Sequence, residues 1–394
     1  MLADVFERFV EKSPISVMVR ATLERVLGAD RLDLWYERTA EKQYTRELLF
    51  STVYDLMSQV VFCVQPSVRA AYLAHEADVG TSIVSVYNKL NGLETHTSAE
   101  LVRYSAREFA PLLAPLGGER VPWLDGYRVN IVAGNCLEAS EHRLKARREA
   151  TGRALPGKSL VVYEPAHGLV TDVFPCEDGH AQERALLGVV LERVVADSWF
   201  SDSKLMRHVA TTHQGTFLVE GKSTYVFELP DGRQVKGEDL QQHREWPWRL
   251  SEQVPGVRYA RLRATSPTYG TVTLIIVSEP REEQFYVMCL DTTISGPRLI
   301  RAWKRRHWIE YCFRTLKHLL ATGACQVQSE ETYYGHLVLR LMGCLVLFYT
   351  SRVICKGRLT MEEIIFSLKH YWRFVDSEAL DLTALSWGVD EKAA

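Results

Sequence analysis

The sequence predicts a mixed α/β fold, helical at both ends and rich in strands between. Three observations carry this expectation. Residues 1 to about 118 place apolar side chains at helical spacing, as in Leu23, Val26 and Leu27, and again in Leu48, Leu49, Val53, Leu56, Met57, Val60 and Val61. From Pro122 the pattern changes to short, alternating, β-branched runs. Helical periodicity returns near Leu299 and persists to about Trp372. With 394 residues, 46% apolar and 24% charged, the chain has room for two or three domains and the proportions of an ordinary globular protein.

The elements follow in order. Gly80-Thr81-Ser82 leads into a short helix to Leu90, entered by a Thr or Ser cap; with the preceding helix it reads either as a helix-turn-helix DNA reader or as part of a structural bundle. Arg128–Ala133 alternates as a strand should. Lys158–Tyr163 and Gly168–Phe174 follow as strands, joined by the turn chemistry of Glu164-Pro165-Ala166-His167. A helix is expected over Ala181–Leu191, an apolar strand over Val194–Ala196 that ends at Asp197, and a helix over Asp202–Val209. Three strands, a helix, a strand and a helix match the start of an RNase H-like core. Next comes a β-rich block from about Thr216 to Met288, with strands at Thr216–Val219, Ser223–Leu229, Val257–Leu262, Thr271–Val277 and Phe285–Leu290 and a hairpin turn at Pro230-Asp231-Gly232. It separates Asp197 from the late helices, too long a span for a direct strand-to-helix connection.

Composition excludes several classes. A formal net charge of −2 is not that of a globally basic nucleic-acid binder, so any DNA-binding surface is local. Eight Cys without a Cys-x-x-Cys pair give neither a zinc site nor a secreted disulfide framework, and reduced thiols in a cytoplasm are the simplest reading. The N-terminus has no signal-peptide apolar run. The most apolar stretch, Leu337–Tyr349, is interrupted by Arg340, is too short to span a bilayer and reads as a buried helix.

Two local basic clusters stand out. From Arg298 to His318 lie Arg298, Arg301, Lys304, Arg305, Arg306, Arg314 and Lys317, against Glu310 alone. From Arg143 to Lys158 lie Arg143, Lys145, Arg147, Arg148, Arg153 and Lys158. Either is also readable as a solvated face. In the first, Trp303, Arg306, Glu310 and Lys317 are separated by two, three and six residues. If Leu299–Leu320 is one helix, about 100° per residue sets Arg306, Glu310 and Lys317 within roughly 40° of one another. A carboxylate between two cations on one face suits a metal ion beside a phosphate.

On these residues the chain resembles bacterial insertion-sequence transposases of the DDE type, and more narrowly insertion-sequence family four. That family's signature is Tyr, two residues, Arg, three residues, Glu, six residues, Lys. Arg306, Glu310 and Lys317 match it, and Trp303 stands at the Tyr position. Two further blocks are similar: Gly134–Lys145, with its Glu141-His142-Arg143-Leu144-Lys145 run, and Leu155–Leu160 continuing through Glu183-Arg184. The resemblance implies an RNase H-like catalytic core interrupted by a β-rich insertion and preceded by a helical N-terminal domain. The implied boundaries are 1–118 for a helical DNA-binding domain, 119–215 for the first part of the core, 216–290 for the insertion and 291–394 for the core's C-terminal helices.

It also implies a site. Two magnesium or manganese ions would be held by carboxylates from separate elements, among them Asp197 and Glu310. Asp197 is also readable as a helix cap. At the first acidic position the sequence has Ala133, whose methyl group cannot ligate a metal. Either an Asp has been replaced so that catalysis stops, or the natural protein is defective, or another carboxylate substitutes. Asp125 is the nearest, although it reads more easily as turn chemistry. Arg306 and Lys317 would hold phosphates at the cleaved end, within the basic surface of Arg301, Arg305, Arg314, Arg143 and Lys145. Trp303 has no phenolic oxygen and would stack on a base. Trp246 and Trp248 would line an aromatic pocket for a flipped base, or else anchor their loop against the sheet.

The implied activity is cut-and-paste DNA transposition, in a form disabled at Ala133. The alternatives are a transposase-derived DNA-binding protein without catalysis and an RNase H-like nuclease without strand transfer. Expected partners are double-stranded DNA, as transposon terminal inverted repeats and target, and a second copy of the chain assembled on that DNA. The expected location is the bacterial cytoplasm, at the nucleoid when DNA-bound, with no membrane partner.

Overall fold

A computed structural model of the chain describes residues 14–42, 47–113, 120–136, 158–176, 194–196, 216–242, 245–320, 330–351, 355 and 357–371. The expected helices over 181–191 and 202–209 lie outside these residues, as do Asp197, Arg143 and Lys145. The described helices are α1 Pro14–Leu27, α2 Ala29–Thr39, α3 Phe50–Val61, α4 Val68–Ala74, α5 Glu76–Val79, α6 Ile83–Asn91, α7 Thr95–Leu113, α8 Gly237–Gln242, α9 Gly296–Lys304, α10 Trp308–Arg314, α11 Glu330–Tyr349 and α12 Met361–Tyr371. The strands are β1 Ile131–Cys136, β2 Lys158–Glu164, β3 Leu169–Cys176, β4 Val194–Ala196, β5 Phe217–Glu220, β6 Val226–Glu228, β7 Gln234–Lys236, β8 Arg249–Leu250, β9 Arg258–Ser266, β10 Gly270–Ser278 and β11 Phe285–Cys289. The mixed helix and strand content is as the sequence predicts.

The chain divides into two compact units. One is helical and contains the N-terminal helices together with the described residues from Arg314 onward. Its axis is α11, which packs on α3, α6 and α7. Leu337, Val338, Leu341, Met342, Val346 and Leu347 are all buried. Gly343 permits the approach to α3: a Cβ there would sit 2.8 Å from Val61 Cγ1. Arg340, the interruption in this apolar run, is also buried, and its Nε donates to the Leu320 carbonyl at 2.6 Å. The helix entered at Ser82 forms as expected, with the Ser82 hydroxyl accepting from the Ser85 amide at 3.2 Å and Gly80 at φ +66° ending α5. Lys89, the cation of α6, does not face solvent. Its Nζ donates to the Leu48 carbonyl at 2.9 Å and lies 4.9 Å from the Tyr36 ring centre, and burial pulls its pKa down against the opposing pull of Asp33.

The other unit is built on one sheet. Its strand order is β3-β2-β1-β4-β5-β11-β10-β9-β6-β7, with β8 paired to β9. β1, β2 and β3 pair antiparallel; β1, β4 and β5 pair in parallel; β5 to β11, and β11 through β10 to β9, return to antiparallel. β5, which the sequence pattern groups with the β-rich block, is therefore the parallel neighbour of β4, and the block continues the same sheet. One face buries Val132, Val219, Ala260, Leu274, Ile276, Tyr286 and Met288 in a shared core. The Glu164–His167 segment turns as expected and closes at Gly168, φ +72°, whose amide donates to the Glu164 carbonyl at 2.8 Å. No helix among the described residues is long and apolar enough to cross a membrane.

Two contacts hold this sheet. Gly221 lies against the Tyr286 ring so closely that a Cβ would fall 1.9 Å from Tyr286 Cε2, and the Tyr286 hydroxyl donates to the Lys222 carbonyl at 2.6 Å. Gly221→Ala is expected to destabilise by about 3 kcal/mol, because the buried ring has nowhere to move; chemical denaturation measures it, and a loss below about 1 kcal/mol contradicts the contact. The second is Glu164, buried at the end of β2. Arg128 grips it bidentately, at 2.8 and 3.0 Å, and His167 Nδ1 lies 3.1 Å away. Burial alone would raise the Glu164 pKa; the hydrogen bonds and charge of Arg128, joined by His167, outweigh it and hold the carboxyl below its ordinary value. A depressed folded pKa means stabilisation that is complete above the unfolded value, about 4.3, and is lost as pH falls through the folded one. Glu164→Gln should therefore lose about 1–3 kcal/mol at neutral pH, and the gap to the parent should close in melts taken below about pH 4.

Candidate active site

The parallel pairing fixes the site's floor. Ile131 aligns with Val195 and Val132 with Ala196, while Val195 aligns with Leu218. One residue further along, Ala133 on β1 and Glu220 on β5 fall on the same row; Glu220 ends its strand, whereas β1 runs three residues past Ala133 to Cys136, still paired with β2. The strand between them, β4, ends at Ala196; Asp197 follows it in the sequence and is outside the described residues. Ala133 is half-buried and pairs across β1–β2 with Val161. Side chains alternate along a strand, so Ala133 and Glu220 share the face opposite Val132 and Val219. Sequence reasoning passed over Glu220. The signal was available, because Phe217-Leu-Val-Glu220 ends an apolar strand on a carboxylate just as Val194-Val-Ala-Asp197 does.

The expected helix over Leu299–Leu320 is present as one right-handed path but not as one α-helix. α9 is entered at Ser295 with Pro297 in its first turn. A 3₁₀ turn, Arg305–His307, follows, then α10, then a π-turn over Thr315–Leu319. The 3₁₀ turn winds at about 3.0 residues per turn, so the uniform step that placed Arg306, Glu310 and Lys317 on one face is not kept. His307 contributes to the tightening, its Nδ1 donating to the Lys304 carbonyl. Glu310 is exposed in the first turn of α10, and Arg314 is exposed at its end. Lys317 is half-buried in the π-turn. Arg306 and Glu310 belong to the sheet unit, Arg314 and Lys317 to the helical one.

Packing explains the altered winding. The cations here rest on indole faces. Arg306 lies 4.8 Å from the Trp303 ring centre, Arg305 5.4 Å from Trp123, and Arg120 4.1 Å from Trp308. Trp123 and Trp308 meet edge to face at 5.4 Å. Each such contact contributes about 0.5–2 kcal/mol. Trp303 is 6% exposed and its ring carries Arg306. Arg301 stands one turn before Arg305, and its Nε is buried without a hydrogen-bond acceptor among the described residues. Burial first, and the Arg301 charge second, lower the Arg305 pKa. Lys304 is tied to Glu279 and Arg298 to Asp125, the latter at 2.8 Å. Asp125 sits, mostly exposed, in the turn closed by the Tyr127 amide on the Leu124 carbonyl, with Gly126 at φ +80°. It is turn chemistry, as its sequence context suggested. Arg120, Trp123 and Trp308 were not singled out from the sequence, because Arg120 and Trp123 lie far from α10 along the chain.

A cleft of about 720 Å³ opens beside this helix, lined by Glu220, Gln242, Glu283, Trp303, Lys304 and Arg306 among others. The expected aromatic pocket is not part of it. Trp246 is 8% exposed within the sheet core, and Trp248 packs against that core with Arg258 5.6 Å from its ring centre. Both anchor their loop against the sheet, the other of the two readings.

No protein-family model and no curated protein matches the sequence. Among solved structures, the chain is similar to a piggyBac transposase in a synaptic complex with hairpin DNA. The identity is 10%, the match covers 93% of this chain and 81% of that one, and the TM-score is 0.43. At that score the likeness carries no inference about activity.

The chemistry this geometry permits is anion binding beside a carboxylate. Among the described residues no group of three or more His, Cys, Asp or Glu is arranged to hold a metal ion. Ala133 offers no donor atom. Asp197, the other expected ligand beside Glu310, lies outside the described residues.

The Trp303–Arg306 stack yields a prediction. In a double-mutant cycle on duplex DNA affinity, Trp303→Leu and Arg306→Gln should couple by about 0.5–1 kcal/mol, with Trp303→Phe retaining most of the coupling. Strictly additive effects would show that the indole does not orient the guanidinium.

Proposed function

We propose that this chain is a DDE-type DNA transposase whose catalytic centre is incomplete at Ala133, so that it binds DNA ends without cutting them. The observation that carries the proposal is the order β3-β2-β1-β4-β5, with β2 antiparallel and β4 and β5 parallel to β1. This order supports the RNase H-like reading, because it sets Ala133 and the end of β4 on adjacent strands. The Arg306, Glu310 and Lys317 spacing supports it independently from the sequence.

The roles follow from chemistry. Arg306, seated over the Trp303 ring, presents a guanidinium fork to a phosphate, and Lys317 supplies a point charge. Glu310 and Asp197 are the carboxylates of the intact centre, which takes two magnesium or manganese ions in the active form. Ala133 removes one set of ligands, and no chemical step is available to the chain as it stands. Joining two ends to one target needs one centre per end, so two protomers assemble on DNA. Ala133 itself favours a second reading, a transposase-derived DNA-binding protein that never cuts.

The two readings separate on Ala133→Asp. With magnesium or manganese, that variant is expected to nick or cleave duplexes carrying the terminal repeats of the DNA that encodes it, and Glu310→Gln in the same background should lose the activity by at least about 10³-fold. Cleavage without joining would move the assignment to a nuclease. An Ala133→Asp protein that binds DNA but leaves every end intact would sink the transposase reading in favour of the DNA-binding one.

A further inference from the structure

The helical unit carries a groove to which nothing above gives a role. It lies between α2 and α7, with a cavity of about 510 Å³. Trp35 and Tyr104 form its floor, their ring centres 5.8 Å apart, and Phe50 backs Trp35 at the same distance. Arg31 and Arg38 stand on one face of α2, seven residues and about 700° of turn apart. Arg107 rises from α7 beside Tyr104. All three guanidinium-bearing residues are exposed. The opposing charge is Glu108, 3.7 Å from Arg31, and both partners are more than a third exposed, so the pair is weak. Among the described residues Arg38 and Arg107 form no ion pair. The floor is aromatic, with the exposed Leu34 beside it, and the rim is cationic.

We propose that this groove binds the phosphate backbone of duplex DNA, with Arg31, Arg38 and Arg107 each taking a phosphate. The proposal rests on the transposase reading and says which surface of the helical unit meets the duplex. Seven residues of helix span about 10 Å, and one DNA strand sets a phosphate every 3.4 Å or so of axis, so the row matches roughly three phosphates. Guanidinium forks fit phosphate oxygens bidentately.

The test compares two triple variants of the full chain. Arg31→Gln, Arg38→Gln and Arg107→Gln remove the groove's charge; Arg69→Gln, Arg233→Gln and Lys236→Gln remove equal charge elsewhere. Binding to a fluorescent duplex is followed by anisotropy between about 50 and 200 mM salt. The groove variant is expected to bind at least tenfold more weakly at the midpoint of that range, and its log–log salt slope to shrink by about 2 to 3, near 0.9 per lost phosphate contact. The control should shift by less than twofold. If the groove triple does not melt like the parent, Arg38→Gln and Arg107→Gln alone should each reduce the slope by about 1. A folded groove variant that keeps the parent's affinity and slope overturns the proposal while leaving the transposase reading intact. A parent protein that binds no duplex even at low salt overturns both.

Discussion

The parallel alignment of β1 with β4 is the constraint on which the rest of the candidate site depends. Parallel neighbours cannot be joined by a tight turn, so the chain must leave the sheet and return, and both strands then finish at the same edge. β4 ends there at Ala196 and β5 at Glu220, and Ala133 lies level with Glu220, three residues before β1 ends at Cys136. The register is strict: a slip of one residue would carry Val132 and Val219 out of the core and turn Ala133 to the wrong face. The apolar fill of that core thus also sets where polar side chains emerge.

The positive surface is a second consequence of packing. A chain with net charge −2 concentrates cations along one helical path and holds two of them, Arg305 and Arg306, on indole faces, with Arg120 on a third. Trp123 and Trp308 each support a guanidinium while meeting each other edge to face. The arginine heads are ordered before any ligand arrives, which lowers the entropy lost on binding. Arg301, whose charge lowers the Arg305 pKa, has a buried Nε without an acceptor among the described residues.

Much of this was legible in the sequence. Strands β1 to β4 and β9 to β11 were signalled by β-branched alternation, and the turns at Glu164–Gly168 and Leu229–Arg233 by their Pro, Asp and Gly content. What escaped the sequence was set by distant contacts. Nothing local says that Lys89 turns inward onto Tyr36, since a lysine on a short helix is normally solvated. Periodicity assumed an even pitch from Leu299 to Leu320, whereas the seating of Arg305 and Trp308 against residues far away in sequence comes with a tighter turn at Arg305–His307. Glu220 was hidden by its grouping with the β-rich block, because strand pairing is not written in the composition of either partner.

The β-rich block shares backbone hydrogen bonds with the rest of its sheet, since β5 pairs with β4 on one side and β11 on the other. It is therefore not a cassette that evolution or an engineer can lift out between two loops. Excising its later strands, β6 to β11, would strip β5 of a partner and leave an open strand, Phe217-Leu-Val-Glu220, whose first three residues are apolar. Such an edge recruits strands from other molecules. A shortened protein of this design would be selected against first for its tendency to aggregate, before any change in what it recognises could matter.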